Sequence, residues 1–173
     1  MRERAANNLV AEAEKHIGVT EATGKNDGTE VERFLAITGL KKGQPWCAAF
    51  QAYIHDAAGL PAPHSARVVD WFKQNVVWER EWTMYGPEAK RGMVGALYYK
   101  DLGRYGHIVL IVGADKRNYY TIEGNTNSAG SREGEGVYRK IRTKESISAL
   151  ADYCINGRAF IKEYDAYIQK TMK

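Results

Sequence analysis

The chain is poor in the devices that staple small or exported proteins together. It has two cysteines in 173 residues. Cys47 and Cys154 form no CxxC pair and no metal-type spacing, so nothing points to a disulfide framework or a zinc module, and both are read as free thiols. Prolines number only four. With no low-complexity linker and no internal repeat, residues 1–173 are expected to form one domain, long enough to bury a core without covalent staples. Long apolar runs are missing too. None approaches the roughly 18 to 20 residues a membrane-crossing helix needs, and the opening MRERAANNLV lacks the apolar centre of a secretory signal. Neither membrane insertion nor a signal peptide is expected. Charge is not segregated: Lys and Arg total 25 against 21 Asp and Glu, a net +4, and basic residues interleave with acidic ones. Without a basic stripe, nucleic acid is not expected as a partner.

What is present reads as helices followed by strands. ANNLVAEAEKHIG sets Leu9, Ala13, His16 and Ile17 at helical spacing before Gly18, and TEVERFLAITG does the same with Val31, Phe34, Leu35 and Thr38 before Gly39. A third helix is expected from about Trp46 to Ala58, with Phe50, Tyr53, Ile54 and Ala57 as its buried stripe. A fourth is expected in HSARVVDWFKQ, with Ser65 as N-cap ahead of Val68, Val69 and Phe72. The pattern then changes. MVGALYY, HIVLIVG, YYTIEGNT, GVYRKIR and GRAFIKEY are short and rich in β-branched and aromatic residues, and Gly, Asn or charged turns separate them. This order implies an α+β fold, N-terminal helices packed on an antiparallel sheet.

Candidate chemistry begins at QPWCAAF. Pro45 is disfavoured inside a helix but common near its start, so the helix should open at Trp46 or Cys47. The thiol then sits at the positive end of the helix dipole, which favours a thiolate over the free thiol with its pKa of about 8.5, and unpaired N–H groups there suit an oxyanion. A base must come from elsewhere among four histidines. His55 is about 12 Å further along the same helix, out of reach. His16 on an apolar helix face and His64 between prolines read as structural or exposed. His107 opens a strand apolar on both faces, hence central and rigid, and Gly106 before it permits close approach.

On the following strand Tyr119, Thr121, Glu123 and Asn125 share one face. A hairpin turning at GADKRN sets His107 opposite position 123, 124 or 125. An odd loop of about three or five residues brings it beside Glu123 or Asn125. A thiol, an imidazole and a carboxylate with a carboxamide make a nucleophile, base and orienter set. Cys154, in ADYCINGRAF, reads as a small buried apolar side chain. Trp46, Trp71, Trp78 and Trp82 read mostly as packing.

PWCAAF, GHIVLIVG and IEGNTN, in that order, resemble the signatures of the CHAP family, cysteine and histidine dependent amidohydrolases and peptidases of the NlpC-type papain-like superfamily. Flanking segments IGVTEATGKNDG and REGEGVYRKIR resemble those of its phage, prophage and bacterial lysis members, including endolysins. The resemblance implies a papain-like α+β fold with Cys47 as nucleophile, His107 as general base and then acid, Glu123 orienting His107, and Asn125 as further polar support.

It also implies a monomeric hydrolase of peptidoglycan in the bacterial cell wall, either an N-acetylmuramoyl-L-alanine amidase or an endopeptidase, made in the cytoplasm and reaching the wall through a holin or a secretion system, or held in check by an immunity partner. The alternative is a catalytically silent wall-binding or partner-binding module on the same fold. Some relatives bind calcium through carboxylates just upstream of the cysteine. GLKKGQPW carries Lys41 and Lys42 there, and RGMVGALYY departs from the Gly-Asp many relatives have before the histidine, so neither a metal nor another cofactor is expected.

Overall fold

A computed structural model of the chain describes residues 1–82, 88–127 and 134–155. Helix α1 (Arg2–Glu14) buries Ala6, Leu9, Val10 and Ala13, recurring at three- and four-residue steps. It stops two residues before His16, so Ile17, expected on the buried face, is 37% exposed while His16 turns inward. Helix α2 (Thr29–Ala36) buries Val31, Phe34 and Leu35. Gly39, at φ 74°, ends the turn that follows it in the left-handed region glycine tolerates.

Helix α3 (Cys47–Ala57) starts directly after Trp46, as Pro45 dictates. Its burial is not the single stripe expected. Cys47 through Ala52, Ile54 and His55 are all buried, Tyr53 only partly, and Ala57 is exposed. The cause is packing on several sides at once, against α1, α2 and the sheet.

The expected fourth helix is a 3-10 turn, Val68–Phe72. Ser65 does not cap it. Its hydroxyl accepts from the Arg67 N–H (3.1 Å) and donates to Asp70 (2.7 Å), and the Tyr153 hydroxyl donates to the Trp71 carbonyl at 2.8 Å. These side-chain bonds compete with an α-helical ladder and leave the turn short.

Six strands among the described residues form one sheet: β1 (Val76–Glu79), β2 (Val94–Tyr99), β3 (Arg104–Ala114), β4 (Asn118–Thr126), β5 (Gly136–Thr143) and β6 (Ala149–Ala151), in the order β1-β6-β2-β3-β4-β5. Every neighbouring pair is antiparallel, so the architecture is α+β. The short β1 and β6 were not anticipated, and the strand expected at GRAFIKEY lies outside the described residues. One face of the sheet, carrying Val94, Ala96, Ile108, Leu110 and Ile122, packs under the helices. Its other face gathers Val109, Ile111, Tyr119, Ile147 and Leu150 into a second apolar cluster. Strand β3, between β2 and β4, is buried from His107 through Ile111, as a run apolar on both faces requires.

Two irregularities in β3 decide where His107 points. The hairpin joining β3 to β4 has a three-residue loop, Asp115 to Arg117. The pairs nearest it are Ala114↔Tyr119 and Gly113↔Tyr120, but beyond Val112 the register shifts to Ile111↔Thr121 and Leu110↔Ile122. Without that bulge His107 would fall opposite an even-numbered residue and point away from Glu123. One inserted residue restores the parity, because a slip of one position exchanges the two faces of a strand. A second shift, where Leu97 pairs His107 but Tyr98 pairs Tyr105, bends β3 at Gly106, beside His107.

Candidate active site

His107 and Glu123 are both fully buried, and the imidazole Nε2 lies 2.9 Å from Glu123 Oε2. The carboxylate is gripped from several directions. Arg142 spans it with two donors, Nε to Oε1 at 2.8 Å and Nη2 to Oε2 at 2.5 Å, while the Thr121 hydroxyl donates to Oε1 at 2.6 Å. Burial by itself raises the Glu123 pKa, but Arg142 and His107 outweigh it and hold the carboxyl well below its usual range. An ionised carboxylate can only accept hydrogen bonds. The Nε2 of His107 must therefore be its N–H, which leaves Nδ1 as the nitrogen able to gain or lose a proton.

That nitrogen is buried and has no hydrogen-bond partner among the described residues. Burial depresses the imidazole's pKa, yet the net shift is upward, because the Cys47 thiol and then Glu123 both favour the protonated ring. The thiol thus lies within electrostatic reach of the imidazole that Glu123 holds on its other side. Cys47 is 4% exposed but lines a cleft of about 210 Å³ together with Gln44, Pro45, Arg67, Arg104 and Gly106. The sulfur-bearing residue is tucked under the surface at the edge of open space.

Helix α3 carries Cys47 to this point for local reasons. Trp46 is fixed by its indole N–H, which donates to Glu21 at 2.9 Å, and by a tilted contact of its ring with Phe34. The helix lies close on β4 because Gly124 has no side chain, and a Cβ built there would stand 2.8 Å from Phe50 Cβ. No side chain caps the helix, and its first intrahelical acceptor is Trp46 O, taken by the Phe50 N–H. The N–H groups of Cys47, Ala48 and Ala49 consequently have no intrahelical partner.

Asn125 makes no hydrogen bond to His107 among the described residues. It sits at φ 55°, a left-handed conformation that asparagine tolerates better than other side chains. With its amide oriented to satisfy both ends, its nitrogen donates to the Gly134 carbonyl at 2.7 Å and its oxygen accepts the Trp46 N–H at 3.1 Å. Asn125 thus ties β4 to the residue preceding Cys47. Its polar contacts reach the start of the helix that carries Cys47.

The remaining candidates sit elsewhere. His16 packs edge-on against Phe34 and Tyr53. His55 is fully buried, its Nδ1 against the Gln51 carbonyl at 2.8 Å, and burial drives its pKa down to about 4. His64 is at the surface beside Asp56. Burial and the neighbouring Asp152 push the Cys154 thiol up to about 12. Trp46, Trp71 and Trp78 are buried, whereas Trp82 is 46% exposed.

Arg142 was missed from the sequence. Its strand alternation is legible, but its reach to Glu123 depends on the β4–β5 register. Glu21 and Gly124 were missed too, and only the turn-rich context of one and the glycine identity of the other could have flagged them. Among the described residues, no three His, Cys, Asp or Glu side chains gather to hold a metal ion, and no helix is long and apolar enough to cross a membrane.

No protein-family model matches the chain, and no curated protein matches it in sequence. Among solved structures, that of Ly7917 with the hydrolyzing product of MDP superposes with a TM-score of 0.44 at 13% identity. The match covers 86% of this chain and 63% of the length of that protein.

Proposed function

We propose that the chain is a CHAP-like, papain-like peptidoglycan hydrolase that cleaves an amide bond through a Cys47 thioester, folded as one domain. The observation that carries the reading is the two-sided environment of His107. Glu123 takes Nε2–H, the Cys47 thiol lies within electrostatic reach, and Nδ1 is left without a bond. An unpaired ring nitrogen is shared with His16 and His55; what sets His107 apart is that Glu123 holds one side of its ring while the Cys47 thiol lies within electrostatic reach of it.

In the proposed cycle the Cys47 proton passes to His107 Nδ1, and the sulfur attacks the amide carbonyl carbon. Negative charge on the carbonyl oxygen meets the unpaired N–H groups at the start of α3, and the imidazolium is balanced by Glu123. As the C–N bond breaks, the leaving nitrogen takes the Nδ1 proton. Water then attacks the thioester, giving its proton to His107, and the carboxylic acid leaves as Cys47 recovers its hydrogen. Glu123 and Asn125 act by positioning, the first on the ring and the second on the helix start. The wall as target, and delivery to it with the help of a holin or secretion system, come from the resemblance of the sequence motifs.

The test is digestion of purified peptidoglycan followed by mass spectrometry of the soluble fragments. The intact protein should release fragments bearing one new amine and one new carboxyl terminus, and the Cys47→Ala protein should release none while keeping its circular dichroism and melting temperature. Equal release by both proteins would falsify the assignment. Binding to the wall by both, with release by neither, would identify a silent binding module.

A further inference from the structure

The cleft beside Cys47 has a charge pattern that the chemistry of amide cleavage does not call for. Apart from Arg67 and Arg104, its lining is uncharged, with Leu40, Gln44, Pro45 and Val68 among its walls. Both arginines are exposed at its rim, and neither guanidinium has a hydrogen bond or ion pair among the described residues. Several other arginines are committed: Arg2 holds Asp152, Arg80 two backbone carbonyls, Arg139 Glu14 and Arg142 Glu123, and of those without such a partner Arg67 and Arg104 are the pair that lines the Cys47 cleft.

The acid nearest to competing for Arg67 is already occupied. Asp70 has its pKa lowered first by Lys73 and then by Ser65, with Arg67 contributing only at longer range, and it takes hydrogen bonds from both of those neighbours. The two sides of the cleft come from separate parts of the fold. Arg67 precedes the Val68–Phe72 turn, and Arg104 opens β3 three residues before His107. Two planar, permanently charged forks from separate elements lining one cleft suit a carboxylate, which each can bind with paired N–H donors.

We infer that Arg67 and Arg104 form an anion subsite of the Cys47 cleft, selecting amide substrates that carry a free carboxylate close to the bond being cut. This rests on the hydrolase reading and specifies its substrate class. Peptides in which that carboxylate is amidated are poor substrates.

The experiment uses two synthetic muramyl peptides that differ only in one side-chain group, carboxylate in one and carboxamide in the other. With the intact protein, kcat/KM should favour the carboxylate peptide by about tenfold to a hundredfold, the range for a charge-assisted hydrogen bond made or lost. Arg104→Gln and Arg67→Gln should each erode that preference, lowering kcat/KM for the carboxylate peptide more than for the carboxamide peptide. A preference that survives both substitutions, or equal turnover of the two peptides by the intact protein, overturns the inference. Binding separates its failure from failure of the hydrolase reading. The Cys47→Ala protein, titrated calorimetrically with both peptides, should bind the carboxylate form more tightly and lose that advantage with Arg104→Gln, whether or not the intact protein turns either over. Equal affinities overturn the subsite.

Discussion

The imidazole of His107 donates from Nε2 to Glu123 Oε2 across 2.9 Å of fully buried space, although sixteen residues separate the two in sequence. Because Arg142 and Thr121 also grip that carboxylate, the ring has one orientation open to it, with Nδ1 free. Glu123→Gln preserves the shape and removes the charge. It should lower kcat/KM on peptidoglycan by about a hundredfold or more, and remove the buried ion pair with Arg142 at a cost of about 3 kcal/mol. Steady-state kinetics and urea unfolding measure the two effects. An unchanged rate would remove Glu123 from the mechanism.

Gly124 is the contact that lets α3 settle on β4. An alanine there places its Cβ 2.8 Å from Phe50 Cβ and Cγ, one turn along the helix from Cys47, so the helix must move outward. Gly124→Ala should destabilise the fold by about 1 to 3 kcal/mol. It should also cut activity by about a hundredfold through displacement of the thiol. Wild-type activity in a folded Gly124→Ala protein would mean that Cys47 is not positioned through this contact.

The general architecture is legible in the sequence because its signals are local. Pro45 before Cys47 marks the start of α3, and the apolar run around Val109 marks an interior strand. The site itself is legible only up to a choice. Alternation puts Thr121, Glu123 and Asn125 on one face, but which of them His107 meets depends on the bulge at Val112, which has no signature in GHIVLIVGAD. Asn125 looks equivalent to Glu123 by periodicity. It differs because its backbone turns left-handed at φ 55° and sends the amide to Trp46 and Gly134 instead. The segment HSARVVDWFKQ has helical spacing, yet Ser65 and Tyr153 draw its polar groups into side-chain bonds that a sequence pattern does not record.

Stability should fall on mild acidification because of His55. Burial lowers its pKa from 6.5 to about 4. Between those values the unfolded chain takes up a proton that the folded chain refuses, so unfolding is favoured as pH falls through this window and levels off below about 4. The total is about 3 kcal/mol, from 1.36 kcal/mol per pKa unit. Urea unfolding at a series of pH values on the intact protein and His55→Phe should show a slope in the first that is reduced in the second. Parallel slopes would show that His55 is not the group responsible.

The two thiols should behave differently toward iodoacetamide near neutral pH. Cys47 borders an open cleft, whereas Cys154 is held in the core against the Gly92 carbonyl with its thiol pushed up to about 12. Peptide mapping of the folded protein should find carboxyamidomethylation at Cys47 at least tenfold faster than at Cys154. Comparable rates at both positions would contradict the access that the cleft provides.

The coupling of sulfur to imidazole can be read without any substrate. Nitrogen-15 NMR titration of His107 in the intact protein and in Cys47→Ala tests it directly. The ring should titrate above the ordinary 6.5 in the intact protein and distinctly lower once the thiol is gone, since burial alone would lower its pKa and Cys47 contributes the largest upward influence against it. Identical titration curves in the two proteins would mean that the thiol and the ring do not sense each other, and would contradict the catalytic pairing of Cys47 with His107.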